Sequence, residues 1–148
     1  DVPFTPPVNL IRGQRIALQM MLDEGMPDVW ARTANMAKAT RAAFEVMGLQ
    51  GVSIRPTDSL SGAQYPPGIQ DAAFRASLRG RHGIHIAGGH HGRGAQWKGK
   101  IFRISHMGHI DGDDMLAAIA AIECELRAAG YDGFRGSGID SGRQVLSP

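Results

Sequence analysis

The sequence predicts an α+β domain, a short antiparallel sheet covered on one face by helices, which leaves the other face free for something else. Two observations carry this. Two long stretches of three-and-four apolar spacing open the chain, and a strict period-2 run, Ile101-Phe102-Arg103-Ile104-Ser105, stands between shorter helical patterns. The resulting order is helix, long helix, strands, helix, strand, strand, helix. With 148 residues, 43% of them hydrophobic, the chain has enough apolar surface for a core without disulfides or metal staples.

Thr5-Pro6-Pro7-Val8 reads as a helix start, a hydroxyl for the N-cap followed by prolines in the first turn, where missing amides cost nothing. Ile11, Leu18, Met21 and Leu22 then share a stripe opposite Arg12, Arg15, Gln19 and Asp23, and Gly25 ends the helix. A second helix is expected from an Asp28 cap to Gly48, with Val29, Thr33, Met36, Thr40, Phe44 and Met47 inward; at 1.5 Å per residue it spans roughly 30 Å. Val52-Ser53-Ile54 and Ser59 to Tyr65 suggest two short strands separated by Pro56 and stopped by Pro66-Pro67-Gly68. A third helix is expected from Ile69 to Leu78, with Ile69, Ala73, Phe74 and Leu78 inward. Gly80 to Gly83 turns the chain into a strand, Ile84 to Ala87. The last helix opens at Asp111, where Asp113 and Asp114 suit the positive end of its dipole, and Leu116, Ile119, Ile122 and Leu126 form its core stripe. From Tyr131 to Pro148 glycines recur without periodicity, which reads as a loose tail.

Composition narrows the function. A net charge of +2 with no basic run interleaved with aromatics gives nucleic-acid binding little support, and no apolar run approaches a membrane span. The single Cys124 cannot pair within the chain and reads as a reduced thiol of a cytoplasmic protein. The chain opens on Asp1-Val2-Pro3-Phe4, without Met, as a segment of a larger protein would.

The charged residue that stands out is Arg103, in the middle of the period-2 run. Ile101, Arg103 and Ser105 point to one face, Phe102, Ile104 and His106 to the other. A guanidinium presents a rigid fork that matches a carboxylate, so Arg103 suits a small acid; it equally suits a charged edge strand paired with a surface acid. Thr5, at a helix N-terminus, has two readings of the same kind: plain cap, or part of an anion site fit for a phosphate. The histidines, His82, His85, His90, His91, His106 and His109, include two pairs spaced by three, but no carboxylate stands at ligand spacing from the first pair, and no metal site is assigned. The Gly88 to Gly99 loop fits no phosphate-binding fingerprint, and no serine lies in a nucleophile elbow.

Read together, Thr5-Pro6-Pro7-Val8, then Met26-Pro27-Asp28-Val29-Trp30-Ala31-Arg32, then Gly83-Ile84-His85-Ile86-Ala87-Gly88-Gly89, then Gly99-Lys100-Ile101-Phe102-Arg103-Ile104-Ser105-His106-Met107-Gly108 and an acid-capped helix resemble the C-terminal portion of class V, fold-type I pyridoxal-phosphate aminotransferases. The alanine, serine or aspartate:glyoxylate or pyruvate group is the nearest in pattern, over about Val2 to Gly130. The resemblance implies pyridoxal 5'-phosphate as cofactor, a homodimer, small amino and keto acids as substrates, and a large domain upstream. It divides the chain into 1–25, an interface segment and helix of the large domain, 26–130, the small domain, and 131–148, the tail. It makes Arg103 the residue that binds the substrate carboxylate, and Thr5 the one that reaches the cofactor phosphate across the dimer interface.

Three departures qualify it. Val2 stands where some relatives have a phosphate-binding tyrosine, Ser105 stands where a glycine is usual, and the loop from His90 to Lys98 is longer and carries His91, Arg93, Gln96 and Trp97. None of Lys38, Lys98 and Lys100 matches the lysine that holds the cofactor, which the resemblance places upstream. Catalytic residues are therefore not expected in this chain, and it should be inactive alone. The alternatives are another fold-type I enzyme, such as a lyase or a cysteine desulfurase-like protein, and a non-catalytic module that binds metal through its histidines.

Overall fold

The computed structural model describes residues 4–89 and 96–147. It contains α1 (Val8–Glu24), α2 (Met26–Val46), β1 (Leu60–Gln64), α3 (Asp71–His82), β2 (Ala87–Gly88), β3 (Ile101–Ser105), α4 (Gly112–Ala128) and α5 (Gly138–Leu146). The α+β expectation holds. The sheet runs β1-β3-β2, with both neighbours antiparallel to the central β3. Two compact units divide the chain, Asp1–Arg32 and Thr33–Pro148, and the division falls inside α2.

In the first unit, Thr5 is not the N-cap. Pro6 and Pro7 each push the residue before them out of the helical region, so helical geometry waits until Val8; Pro7 takes the cap position, and no side chain caps the helix. No residue of α1 is buried. Gly25 alone joins α1 to α2, with a positive φ of 89° that glycine adopts without strain. Hence α2 starts at Met26 and Asp28 falls within its first turn rather than before it. Across this joint the Arg32 fork grips both oxygens of Glu24, at 2.7 and 3.0 Å.

In the second unit the core gathers on one side of β3. Phe102 is fully buried, in edge contact with Phe44 of α2 at 5.4 Å and packed on Tyr65 and on Phe74 of α3. Ser61 and Ala63 of β1 point the same way, paired with Ile104 and Phe102. Residues 52–54 do not form the expected strand. Only Gly51 bridges to Ala63; the Ser53 hydroxyl then accepts the Arg55 amide, a local turn that competes with the ladder, and Ile54 is fully exposed. The third helix is longer than expected and includes Gly80. Gly83, in the left-handed region, ends it, and Ala73 lies on its exposed side. The strand expected over residues 84–87 shortens to Ala87–Gly88.

Asp111 caps α4 through a reciprocal box with Asp114. The tail is not loose. Ser137 caps α5 with its hydroxyl on the Asp140 amide, and the carboxylate of Glu123 accepts the amides of Gly138 and Ile139. Gly138 and Gly142, one turn apart, are both buried; a Cβ on Gly142 would lie 3.0 Å from Ile119 of α4. Among the described residues no helix is long and apolar enough to cross a membrane.

Candidate functional site

β3 places Arg103 on the face away from Phe102, as the alternation predicts. Its cross-strand neighbours are Gly62 on β1 and Ala87 on β2, so small residues flank the long side chain on both sides. The Nε–H donates to the carbonyl of Gly88 at 3.0 Å, and among the described residues the two terminal nitrogens of the fork make no hydrogen bond. Among the described residues no carboxylate pairs with this half-buried guanidinium. It lines an open cleft of about 680 Å³ that also takes in Arg41, Glu45, Arg55 and Arg135. Arg41 is engaged by Asp58 at 3.0 Å.

A second polar cluster stands behind Gly88. Arg75 grips Asp71 with two hydrogen bonds, at 2.8 and 2.9 Å, and the Tyr65 hydroxyl donates to the same carboxylate at 2.9 Å. The Arg75 fork, chiefly, holds the Asp71 carboxyl below the usual carboxylate range, and burial, chiefly, raises the Tyr65 phenol so that it stays a donor. Gly89, next in the chain, faces the carbonyl of Trp97 so closely that a Cβ has no room. The glycine pair thus serves close backbone approach.

The sequence-predicted residues fall as follows. Thr5 is exposed, and among the described residues its hydroxyl makes no hydrogen bond; it belongs to the first unit and Arg103 to the second. The Ser105 hydroxyl accepts the Met107 amide, so it is turned along its own strand. Lys38, Lys98 and Lys100 are exposed. Val2, His90, His91 and Arg93 lie outside the described residues, whereas Gln96 is exposed and Trp97 half-buried. Among the described histidines His106 is fully buried, its Nε2 against the Ser61 hydroxyl at 2.9 Å.

His82 ends α3, and its neighbour is Glu125 of α4, not His85. With Cys124, which is exposed, these residues form one trio of potential metal donors within 4.8 Å. Glu125 is already engaged. One oxygen takes His82 at 2.7 Å and Arg81 at 3.3 Å, the other takes the Ser77 hydroxyl at 2.5 Å, and the Ser77 bond leads in holding its carboxyl low. The Asp71–Arg75 pair and the Gly88 carbonyl were not anticipated. The i,i+4 spacing of the pair is visible in the sequence; its target is not.

No protein-family profile matches the chain. It is 37% identical to an uncharacterized aminotransferase of Methanocaldococcus jannaschii over 99% of its own length and 37% of the other's. It is 30% identical to the serine–glyoxylate aminotransferase of Arabidopsis thaliana, over 97% of this chain and 36% of that protein. The crystal structure of pyridoxamine–pyruvate aminotransferase from Mesorhizobium loti superposes on 99% of the chain with a TM-score of 0.88, at 33% identity, and the match takes in 37% of that chain. These homologues are class V aminotransferases. It spans little more than a third of the length of these aminotransferases and corresponds to their C-terminal portion, so the Arg103 strand and its helices are the aminotransferase C-terminal fold.

Proposed function

We propose that this chain is the substrate-orienting part of a pyridoxal 5'-phosphate-dependent aminotransferase that moves an amino group between a small amino acid, alanine, serine or aspartate, and a 2-keto acid such as glyoxylate or pyruvate. The substrate classes follow those of the aminotransferases it resembles. The observation that carries the reading is the free outer fork of Arg103, its Nε tied to Gly88 and the rest unpaired among the described residues.

Arg103 binds the α-carboxylate in two parallel hydrogen bonds and so fixes the orientation of the reacting carbon. The small flanking residues, Gly62 and Ala87, let the acid approach the strand closely. Pyridoxal phosphate, when bound, supplies the electron-accepting ring on which the amino group is exchanged. Thr5 suits its phosphate. The hydroxyl is exposed, is not spent on capping α1, and lies just before that helix's positive end. In this reading it serves the phosphate of a partner subunit in a homodimer of a cytoplasmic enzyme. The lysine that holds the cofactor lies in a preceding large domain, and the chain alone is inactive.

The test is Arg103→Ala in a protein that joins this chain to its large domain. Loss of a charged bidentate contact is worth about 1.5–3 kcal/mol, so KM for the keto acid rises about 10- to 150-fold. An unchanged KM refutes the reading.

A further inference from the structure

We infer that Asp71 and Arg75 are positioning residues for the substrate carboxylate, acting on Arg103 through the carbonyl of Gly88. The inference rests on the carboxylate-binding reading of Arg103 and extends it to residues that touch no substrate.

β2 is two residues long and stands at the sheet edge, paired with β3 only through Ala87 and Gly88. Such a strand cannot by itself fix the direction of a carbonyl, yet the Gly88 oxygen is the only hydrogen-bond partner of the Arg103 side chain among the described residues. The other side of Gly88 is closed by the ion pair. A Cβ there would lie 3.1 Å from Asp71 Oδ1 and 3.3 Å from Arg75 Cζ and Nε. The pair is itself held from two directions, by the two-pronged grip of Arg75 and by the Tyr65 hydroxyl from the end of β1. Gly88 is therefore seated between α3 and β3, and its carbonyl is aimed by packing against Asp71 and Arg75. Shifting that wall turns the carbonyl, releases Nε, and lets the fork rotate away from its bidentate geometry.

The experiment uses the protein carrying this chain with its large domain and compares Arg75→Gln, Asp71→Asn and Gly88→Ala, each alone and combined with Arg103→Ala. In the background that retains Arg103, Arg75→Gln and Asp71→Asn are expected to raise KM for the keto acid about five- to twenty-fold with kcat at saturation within about twofold. In the Arg103→Ala background the same changes are expected to leave KM unmoved, because the group they position is gone. A merely structural role would lower the melting temperature and the active fraction without this dependence on Arg103. Gly88→Ala presses on the same wall from the other side, and it decides the matter if a charge variant fails to fold. The inference is overturned if KM is unchanged in the single variants, or if the rise persists undiminished without Arg103. Should Arg103→Ala itself leave KM unchanged, the carboxylate reading fails instead.

Discussion

His106 follows Arg103 by three residues and faces the opposite way, into the core. Burial, with the Arg41 guanidinium adding, holds its imidazole down at about 4, against an ordinary 6.5. The folded value lies below the unfolded one, so between them the unfolded chain binds the extra proton. The contribution of His106 to stability is therefore fully present above about pH 6.5 and is lost as pH falls toward 4, by roughly 3 kcal/mol in all. Urea unfolding at pH 7.5 and 5 is expected to show this loss, and a His106→Asn variant is expected to flatten it; an equal slope in both proteins would remove His106 as its cause. Asp71 and Glu125, whose carboxyls are held low, add a further loss at lower pH as each is protonated. At this scale Arg103 was legible, because alternation alone assigns its face. The Gly88 carbonyl that anchors it was not, since a backbone oxygen leaves no mark in composition. His106 was legible as a core-facing position, but its partner Ser61 lies on another strand, and strand register is not written locally.

The elements divide in the same way. The cap at Asp111 and the apolar stripes of α2 and α4 were readable, because each depends on side chains a few residues apart; the end of α3 was not, since the helix continues through Gly80 to a cap at Gly83. α5 was not. Its glycines suggest a loop, yet Gly138 and Gly142 are the packed face of a helix lying close on α4, where any larger residue would stand in the way. Gly142→Val is therefore expected to cost about 1–3 kcal/mol, by overpacking against Ile119 and Leu116. A change of that size is visible as a lower urea midpoint, and an unchanged midpoint would mean that α5 can slide without loss. Glu123→Gln, which weakens the carboxylate's hold on two amides at the start of α5, is expected to expose that helix first to hydrogen exchange while β3 stays protected. The failed strand at residues 52–54 teaches the converse: β-branched residues were present, but Ser53 and Pro56 spend the backbone on a turn.

At the scale of the chain, α1 shows what a pattern leaves unsaid. Its apolar residues fall at helical spacing, but none is buried, and Leu10, Ile16 and Leu22 are each more than half exposed. Periodicity announces that a face seeks cover without naming the cover. Phe4 and Trp30 extend the exposed apolar set within the same unit. The isolated chain is therefore expected to self-associate with rising concentration in sedimentation velocity, and Leu18→Glu combined with Leu22→Glu is expected to return it to a monomer. A monomer at all concentrations without these changes would show that α1 needs no cover.

The contact between Gly89 and the Trp97 carbonyl has a practical outcome. A side chain at position 89 would have to displace the Trp97 backbone, which lies four residues ahead of Ile101, where the strand that bears the guanidinium begins.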